Sequence, residues 1–178
     1  MTEVILVNDH NESLGTMEKM EAHRLGLLHR AFSIFIFNKE GKMLVQQRAA
    51  EKYHGGLLWT NACCSHPLPN EDVANAVQRR LNEELGFTTP LTEIFSFQYK
   101  AEVENNLIEN EYDHVFAGEY SGIINPNPAE VADYKYEDMS ELSQRIKNEP
   151  GQFTTWFRIA FPRIMDWWSV HYGNTNHH

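Results

Sequence analysis

Runs of apolar residues along the chain predict a series of strands. Residues 31–37 and 43–47 are rich in apolar, β-branched and aromatic side chains, and they flank the turn sequence NKEG at 38–41. This arrangement is typical of a β-hairpin. Similar patterns predict four further strands, at 57–64, 91–103, 107–120 and 131–136.

Helical periodicity is clearest between residues 71 and 85. Apolar side chains recur there at positions 73, 76, 77 and 81, and Gly86 ends the predicted helix. A short helix is predicted at 140–147, and a final helix at 154–171, which Pro162 would kink or split. Because strands and helices mix without strict alternation, the pattern favours the α+β class, with a mixed sheet flanked by helices in one domain at 1–178.

The charge balance bears on the partners of the protein. The chain has 178 residues, of which 42% are apolar, and a formal net charge of -10. Nucleic-acid binders and polybasic membrane-surface proteins are usually basic, so neither partner is expected. The acidic excess lies mostly in residues 101–150, which hold twelve acids and three bases and predict a largely solvated acidic surface.

The cysteines and the lengths of the apolar runs indicate a cellular compartment. The two cysteines, Cys63 and Cys64, are adjacent, and neighbours in sequence rarely form a disulfide. No run approaches 18 apolar residues, and the apolar stretch at 4–7 is too short for a signal-peptide core. A reducing, cytoplasmic setting is therefore expected.

Charged residues of the predicted helix at 71–85 point to phosphate chemistry. Adjacent carboxylates near the end of a helix can hold Mg²⁺, although an ordinary charged amphipathic helix is the alternative. The spacing resembles the signature of the Nudix superfamily, which is matched by these residues: Glu71, Arg79, Leu81, Glu83, Glu84, Gly86 and Phe87. Ser65 replaces the first Gly, and Arg80 replaces a Glu that Nudix hydrolases use for metal. The resemblance predicts the fold and makes pyrophosphohydrolase activity less expected.

The segment around the two cysteines offers a thiol beside an imidazole. On an extended segment, side chains two apart share a face, so Cys64 and His66 should point the same way and Cys63 the other way. A thiol beside an imidazole can act as a thiolate or a proton donor. Burial as a small hydrophobe is the alternative, and it is the interpretation kept for Cys63.

Two carboxylates and three imidazoles form a further candidate cluster. Glu109 and Glu111 are two apart on a predicted strand, so both face one side. His23 and His29 lie six apart with a glycine between them, so a loop would have to bring them together. With His66 they would suit Zn²⁺, Mn²⁺ or Fe²⁺, and an exposed polar strand with unrelated histidines is the alternative. The other histidines are expected to be structural: His10, His54, His114, His171, His177 and His178.

Four motifs together resemble the type I isopentenyl-diphosphate isomerases, which are members of the Nudix superfamily. They are LHRAFS at 28–33, WTN at 59–61 with CSHP at 64–67, ELG at 84–86 and ENE at 109–111. The resemblance runs from about Val4 to the final helix. It implies a Nudix-like α/β/α sandwich and an enzyme that interconverts isopentenyl and dimethylallyl diphosphate by moving a double bond.

The resemblance also implies roles for individual residues. Glu111 with Tyr99 would supply a proton, the Cys64 thiolate would accept one, and Trp156 would shield the carbocation. Diphosphate binding is implied for four cations: Lys19, Arg48, Lys52 and Arg80. A divalent metal, Zn²⁺ or Mn²⁺, is implied for five ligands: His23, His29, His66, Glu109 and Glu111. Glu84 would help hold Mg²⁺ with the substrate diphosphate.

Two other functional classes remain open beside the isomerase. A Nudix pyrophosphohydrolase is disfavoured by Arg80 and by the Cys64–His66 pair. A catalytically silent Nudix-like binding module is disfavoured because the whole Cys, His and Glu set is present. The expected partner is a small isoprenyl diphosphate, and the expected state is a monomer or weak dimer.

Overall fold

A mixed β-sheet carries the functional side chains. The computed structural model describes residues 2–52 and 54–173, and within them the sheet has nine strands. The strands are β1 Glu3–Val7, β2 Ser13–Glu18, β3 His29–Phe37, β4 Met43–Arg48, β5 Trp59–Thr60, β6 Cys63–Ser65, β7 Thr92–Val103, β8 Leu107–Glu119 and β9 Val131–Glu137. The helices are α1 Lys19–Leu25, α2 Val73–Leu85, α3 Met139–Asn148 and α4 Thr155–His171, with a 3-10 turn at Pro150–Gln152.

Strand β3 is central in the sheet and pairs with four other strands. Along one edge it pairs in parallel with β8, from His29 opposite Glu111 to Phe37 opposite Glu119. Along the other edge it pairs with β1, then β6, then β4. Strand β7 pairs antiparallel with β8 and brings Tyr99 opposite Glu111. This register places three predicted site residues side by side on neighbouring strands.

Two apolar cores lie on the two faces of the sheet. Alternate residues of β3 explain the division, because successive side chains of a strand point to opposite faces. The α2-side core includes Phe32, Ile34, Ile36, Cys63 and Leu81. The α4-side core includes Phe35, Phe37, Tyr99, Trp156 and Phe157, with Cys64 packed against it. The structure therefore confirms the α+β class and the opposite orientations of the two cysteines.

Some predicted boundaries differ from the structure for local reasons. The strand predicted at 57–64 is two short strands, because the Asn61 side chain donates to the carbonyls of Ile34 and Cys63 and interrupts the extended run. The helix predicted at 71–85 begins at Val73, two residues later than expected, after Asp72 as N-cap. Pro162 does not split the last helix, which is continuous from Thr155 to His171.

The first 25 residues contain elements that the apolar pattern did not predict. Strand β1 is short, β2 is mostly exposed, and α1 has only seven residues, so none has a long hydrophobic period. Across residues 2–52 and 54–173, no helix combines the length and the apolar character needed to cross a membrane.

Candidate active site

Four predicted metal ligands converge from different elements of the fold. One ligand atom from each of His23, His29, His66 and Glu111 lies within 4.8 Å of the others. They come from α1, the start of β3, the segment after β6, and β8. Gly26 ends α1 at a φ of 68°, and this left-handed turn brings His23 and His29 together.

Backbone carbonyls orient two of these imidazoles. Nδ1 of His23 donates to the carbonyl of Lys19 at 2.7 Å, and Nδ1 of His29 donates to the carbonyl of Leu27 at 2.9 Å. A carbonyl oxygen only accepts, so each Nδ1 carries the proton and each Nε2 presents a lone pair. This is the arrangement that fixes metal-binding histidines in proteins.

Glu111 is the centre of the polar network. Its Oε2 lies 3.0 Å from Nε2 of His66 and 3.3 Å from Nε2 of His29, and its Oε1 accepts the Tyr99 hydroxyl at 2.6 Å. Although burial opposes ionisation, the adjacent imidazoles of His29 and His66 hold the pKa of Glu111 well below its usual range. This environment therefore favours the ionised form of Glu111.

Glu109 lies beside Glu111 on the same face of β8. Its Oε1 accepts a longer hydrogen bond of 3.3 Å from the Tyr99 hydroxyl. Burial, followed by the negative charge of Glu111, raises the pKa of Glu109 well above its usual range. Two buried carboxylates so close together need a compensating cation or a proton.

The donor set fits a divalent metal ion. Imidazole nitrogens and carboxylate oxygens suit Zn²⁺, Mn²⁺ or Fe²⁺, and two carboxylates match the charge of one such ion. The predicted ligands His23, His29, Glu109 and Glu111 are all buried, and only His66 is partly exposed. A cation would thus remove the electrostatic cost of burying Glu109 beside Glu111.

His54 also lies in this cluster, although the sequence predicts only a structural role for it. It is 2% exposed, and its ligand atom lies within 4.8 Å of those of His23 and Glu109. Burial and the positive charge of Arg48 lower the pKa of His54 to about 3, so the imidazole is neutral. No periodic pattern signals His54, because it lies in the irregular loop between β4 and β5.

Cys64 lines the cavity next to this cluster. Its Sγ is 3.1 Å from Oδ1 of Asn61 and 3.5 Å from Oγ of Ser33, which in turn donates to buried Asp113 at 2.7 Å. Burial, reinforced by the charge of Asp113, raises the pKa of the Cys64 thiol. Burial alone therefore favours the neutral thiol, and the thiolate that the family resemblance implies stays a prediction.

A cationic cavity of about 290 Å³ opens on the other side of Cys64. It brings together all four predicted diphosphate-binding cations: Lys19, Arg48, Lys52 and Arg80. Arg80 donates to Glu84 at 2.5 Å and to Ser65 at 3.0 Å, and Lys52 donates to Glu130 at 2.7 Å. Glu130, which sequence reasoning missed, thus holds two of the cations in place.

Glu84 lies at the inner wall of this cationic cavity. It is 5% exposed, and it accepts hydrogen bonds from Gln46 at 3.0 Å as well as from Arg80. Burial raises the pKa of Glu84 despite the opposing charge of Arg80. A buried carboxylate facing a phosphate-sized space is a suitable ligand for Mg²⁺, which binds oxygen.

Trp156 closes a smaller cavity of about 30 Å³ that shares Arg48, Cys64 and His66 with the cationic one. This cavity is also lined by Glu109 and Glu111. The Trp156 ring packs against His54 at a centroid distance of 5.6 Å and under the Arg48 guanidinium at 5.1 Å. Cys64 and Glu111 therefore line one enclosed space with an indole as its wall.

The remaining predicted histidines take no part in the site. His10 is exposed, His114 pairs with Glu93 at 3.0 Å, and His171 stacks on Trp167. His177 and His178 lie outside the described residues.

Comparisons with known proteins show the family of the chain. The Nudix domain family matches residues 27–157. The chain is 47% identical over 170 residues to "Isopentenyl-diphosphate Delta-isomerase" of Pectobacterium atrosepticum, covering 96% of this chain and 95% of the relative. It is 46% identical to the protein of the same name from Burkholderia multivorans, with 90% and 91% covered.

Solved structures support the fold at much lower sequence identity. The crystal structure of DR0079 from Deinococcus radiodurans superposes with a TM-score of 0.77 at 17% identity, covering 90% of this chain and 98% of that one. The MutT protein from Methanosarcina mazei Go1 gives 0.63 at 17% identity, with 85% and 96% covered. With a matching domain, close relatives over nearly the whole length and a shared fold, the chain belongs to the Nudix superfamily and, within it, to the isopentenyl-diphosphate Delta-isomerase family.

Proposed function

We propose that this protein interconverts isopentenyl diphosphate and dimethylallyl diphosphate. The observation that carries the proposal is that two cavities adjoin and share lining residues. One is lined by five cationic side chains, and the lining of the other includes a thiol, two carboxylates and an indole. A substrate with an anionic head and a short hydrocarbon tail matches this division.

The cationic cavity would bind the diphosphate. Lys19, Arg48, Lys52 and Arg80 supply the positive charge, and guanidinium groups give charge-assisted hydrogen bonds to phosphate oxygens. Glu84 would hold Mg²⁺, and the ion would supply further neutralisation of the diphosphate. Anchoring the head in this way positions the hydrocarbon against Cys64 and Glu111.

The reaction needs an acid and a base on the two sides of the hydrocarbon. Protonating the double bond gives a tertiary carbocation, and removing a proton from a neighbouring carbon completes the allylic shift. Because the pKa of Cys64 is raised and that of Glu111 is lowered, the Cys64 thiol would donate and Glu111 would accept. One proton enters and one leaves, and the pair then stands ready for the reverse direction, in which Glu111 with Tyr99 donates.

The metal site would maintain this arrangement. A divalent ion held by His23, His29, His66, Glu109 and Glu111 would supply the positive charge that these buried carboxylates require. Tyr99 positions Glu111 through its 2.6 Å hydrogen bond. We infer Zn²⁺ or Mn²⁺ from the nitrogen-rich donor set, in addition to Mg²⁺ at Glu84.

Trp156 would protect the carbocation. Its ring is 5% exposed and forms the wall of the small cavity, where it excludes water that would otherwise trap the cation. An aromatic face also attracts positive charge by about 1–2 kcal/mol when both are desolvated. The 30 Å³ cavity is much smaller than a five-carbon chain, so binding requires side chains around it to move apart.

Hydrolysis of a diphosphate is the second candidate, because Glu83 and Glu84 of the Nudix helix are retained. Arg80 weighs against it. Its guanidinium occupies the space beside Glu84 and Glu130, where a hydrolase would gather carboxylates around metal to activate water. A guanidinium there favours binding of the intact anion.

The proposed function also includes the domain organisation, oligomeric state, compartment and partners of the enzyme. We infer that residues 1–178 act as one domain, as a monomer or weak dimer in the cytoplasm, without nucleic acid or membrane. The net charge of -10 supports the absence of polyanionic partners.

The assay follows both reactions at once. Purified protein is incubated with isopentenyl diphosphate and Mg²⁺, and dimethylallyl diphosphate and inorganic phosphate are measured together. The isomer should appear without phosphate release, and Tyr99→Phe should slow its formation. Phosphate release without the isomer would favour the hydrolase and refute the proposal.

A further inference from the structure

We propose that His54 is a ligand of the buried metal centre, so that the ion has four imidazole and two carboxylate ligands. This inference rests on the metal site of the proposed function and adds a residue that the family motifs do not contain. Two groups of ligand atoms overlap at this site. One contains His23, His29, His66 and Glu111, and the other contains His23, His54 and Glu109.

One shared residue links the two groups. His23 belongs to both groups, and its Nδ1 donates to the carbonyl of Lys19. Only Nε2 of His23 is then available to a metal, and one lone pair binds one ion. Two separate ions would have to divide this nitrogen, so one ion would serve both groups, and ligand atoms more than 4.8 Å apart would draw together on binding it.

The distances between ligand atoms agree with this arrangement. Metal–nitrogen bonds of about 2.1 Å place neighbouring ligands of an octahedron about 3.0 Å apart. Oε2 of Glu111 is 3.0 Å from Nε2 of His66 and 3.3 Å from Nε2 of His29. Oε2 of Glu109 is 3.4 Å from Nε2 of His54, which is long for a hydrogen bond and close to the spacing of the other pairs.

The loop around His54 is held in place before any ion binds. Arg48 donates to the His54 carbonyl from Nε at 3.3 Å and from Nη2 at 3.0 Å. The next backbone N–H, of Gly55, donates to the Glu104 carboxylate at the tip of the β7–β8 hairpin. Trp156 packs edge-on against the imidazole ring. These contacts fix the His54 side chain toward Glu109.

Six protein ligands have a chemical consequence. They fill an octahedral ion, so no position is left for water or substrate. Two carboxylates cancel the charge of a divalent ion, and four imidazoles favour later transition metals over Mg²⁺. The ion would therefore hold Glu111 in place and leave the proton transfers to the surrounding side chains.

The number of ligating imidazoles can be counted directly. The full-length protein is loaded with Co²⁺, and its proton NMR spectrum is recorded in water and in D₂O. Each ligating histidine carries one ring N–H whose exchangeable signal is strongly shifted by the paramagnetic ion. Four such signals are expected in the parent protein, three in His54→Ala, and four in the control His10→Ala, because His10 is exposed and lies outside the cluster.

Other outcomes would overturn the inference. Three signals in the parent would show that His54 only contacts Glu109, and this count needs no variant to fold. Four signals retained in His54→Ala would show that another residue supplies the fourth imidazole. No shifted signals would mean that no metal centre forms, whereas failure of the isomerase assay with four signals present would count against the function alone.

Discussion

Cys63 and Cys64 are neighbours in the chain and opposites in environment. The Cys63 side chain is fully buried in the α2-side core, whereas the Cys64 Sγ lines the cavity that also contains Glu111. The same functional group, a thiol, therefore packs in the core on one face of β6 and lines the proposed substrate cavity on the other face. A side chain's role is set here by the face of the strand on which it lies.

Matched substitutions of the two cysteines test this difference. Cys64→Ala should lower turnover by about 10²–10⁴-fold, the usual contribution of a positioned acid or base. Cys63→Ala should retain turnover and lose about 1 kcal/mol of stability, because a small buried group is removed from a packed core. Turnover is measured by formation of dimethylallyl diphosphate, and stability by urea unfolding. Equal losses of turnover would contradict the account.

Residue-level prediction succeeded where a local period decides the geometry. Side chains two apart on a strand share a face, and this placed Cys64 with His66 and Glu109 with Glu111. His54 was missed because its position depends on an irregular loop fixed by Arg48 and Glu104. Such contacts join residues that are distant in sequence, and no repeating pattern of apolar and polar residues predicts them.

Helix α2 connects the Nudix motif to the cationic cavity. Glu71, just before the helix, accepts two hydrogen bonds from Arg79, at 2.7 and 2.9 Å. This bidentate pair joins the entry loop to the middle of the helix. The Arg79 hydrogen bonds lower the pKa of Glu71 below its ordinary value of 4.5. The motif residue therefore stabilises the helix that carries Arg80 and Glu84.

The pH dependence of stability tests this ion pair. Glu71→Gln should lose about 1 kcal/mol at pH 7, because a charge-assisted bidentate pair becomes neutral. A lowered pKa in the folded state stabilises the protein above the unfolded value and is lost as pH falls through the folded value. The difference from the parent should therefore shrink as pH falls below the ordinary value of 4.5.

Urea unfolding from pH 7 to pH 3.5 provides the measurement. Glu40→Gln, at an exposed turn, serves as the control and should unfold like the parent throughout. A difference for Glu71→Gln that stays constant with pH would contradict an ionic origin.

Elements with strong periodicity were predicted well, and short ones were not. The two long strands at Thr92–Val103 and Leu107–Glu119 lie within about one residue of their predicted ends. The seven-residue helix Lys19–Leu25 was missed, although it carries His23. Its stability comes from packing and from its cap residues, because so short a helix is unstable alone.

At the scale of the whole molecule, the net charge and the proposed ligand have the same sign. The chain carries a net charge of -10, yet five cationic side chains line one cavity, together with Glu83, Glu84 and Glu130. Net charge therefore argues against extended polyanions and not against a small diphosphate. Much of the excess at 101–150 is solvated, while Glu109, Glu111, Asp113 and Glu137 are buried.

Removing one cation from the cavity should weaken substrate binding selectively. A hydrogen bond to a charged group contributes about 1.5–3 kcal/mol, so Arg80→Gln should raise KM by about 10–100-fold. Arg24→Gln is the control, since Arg24 is exposed on α1 and lies outside the cavity. KM for isopentenyl diphosphate is measured for both variants, with thermal unfolding to confirm that each folds. Similar KM values in the two variants would refute the proposed diphosphate site.

The most direct test of the account follows a proton from solvent into the product. The protein is incubated with isopentenyl diphosphate and Mg²⁺ in D₂O, and the product is examined by NMR and mass spectrometry. If Cys64 and Glu111 act as acid and base on the two sides of the double bond, dimethylallyl diphosphate should carry deuterium. An unlabelled isomer, or release of inorganic phosphate in its place, would contradict the central claim.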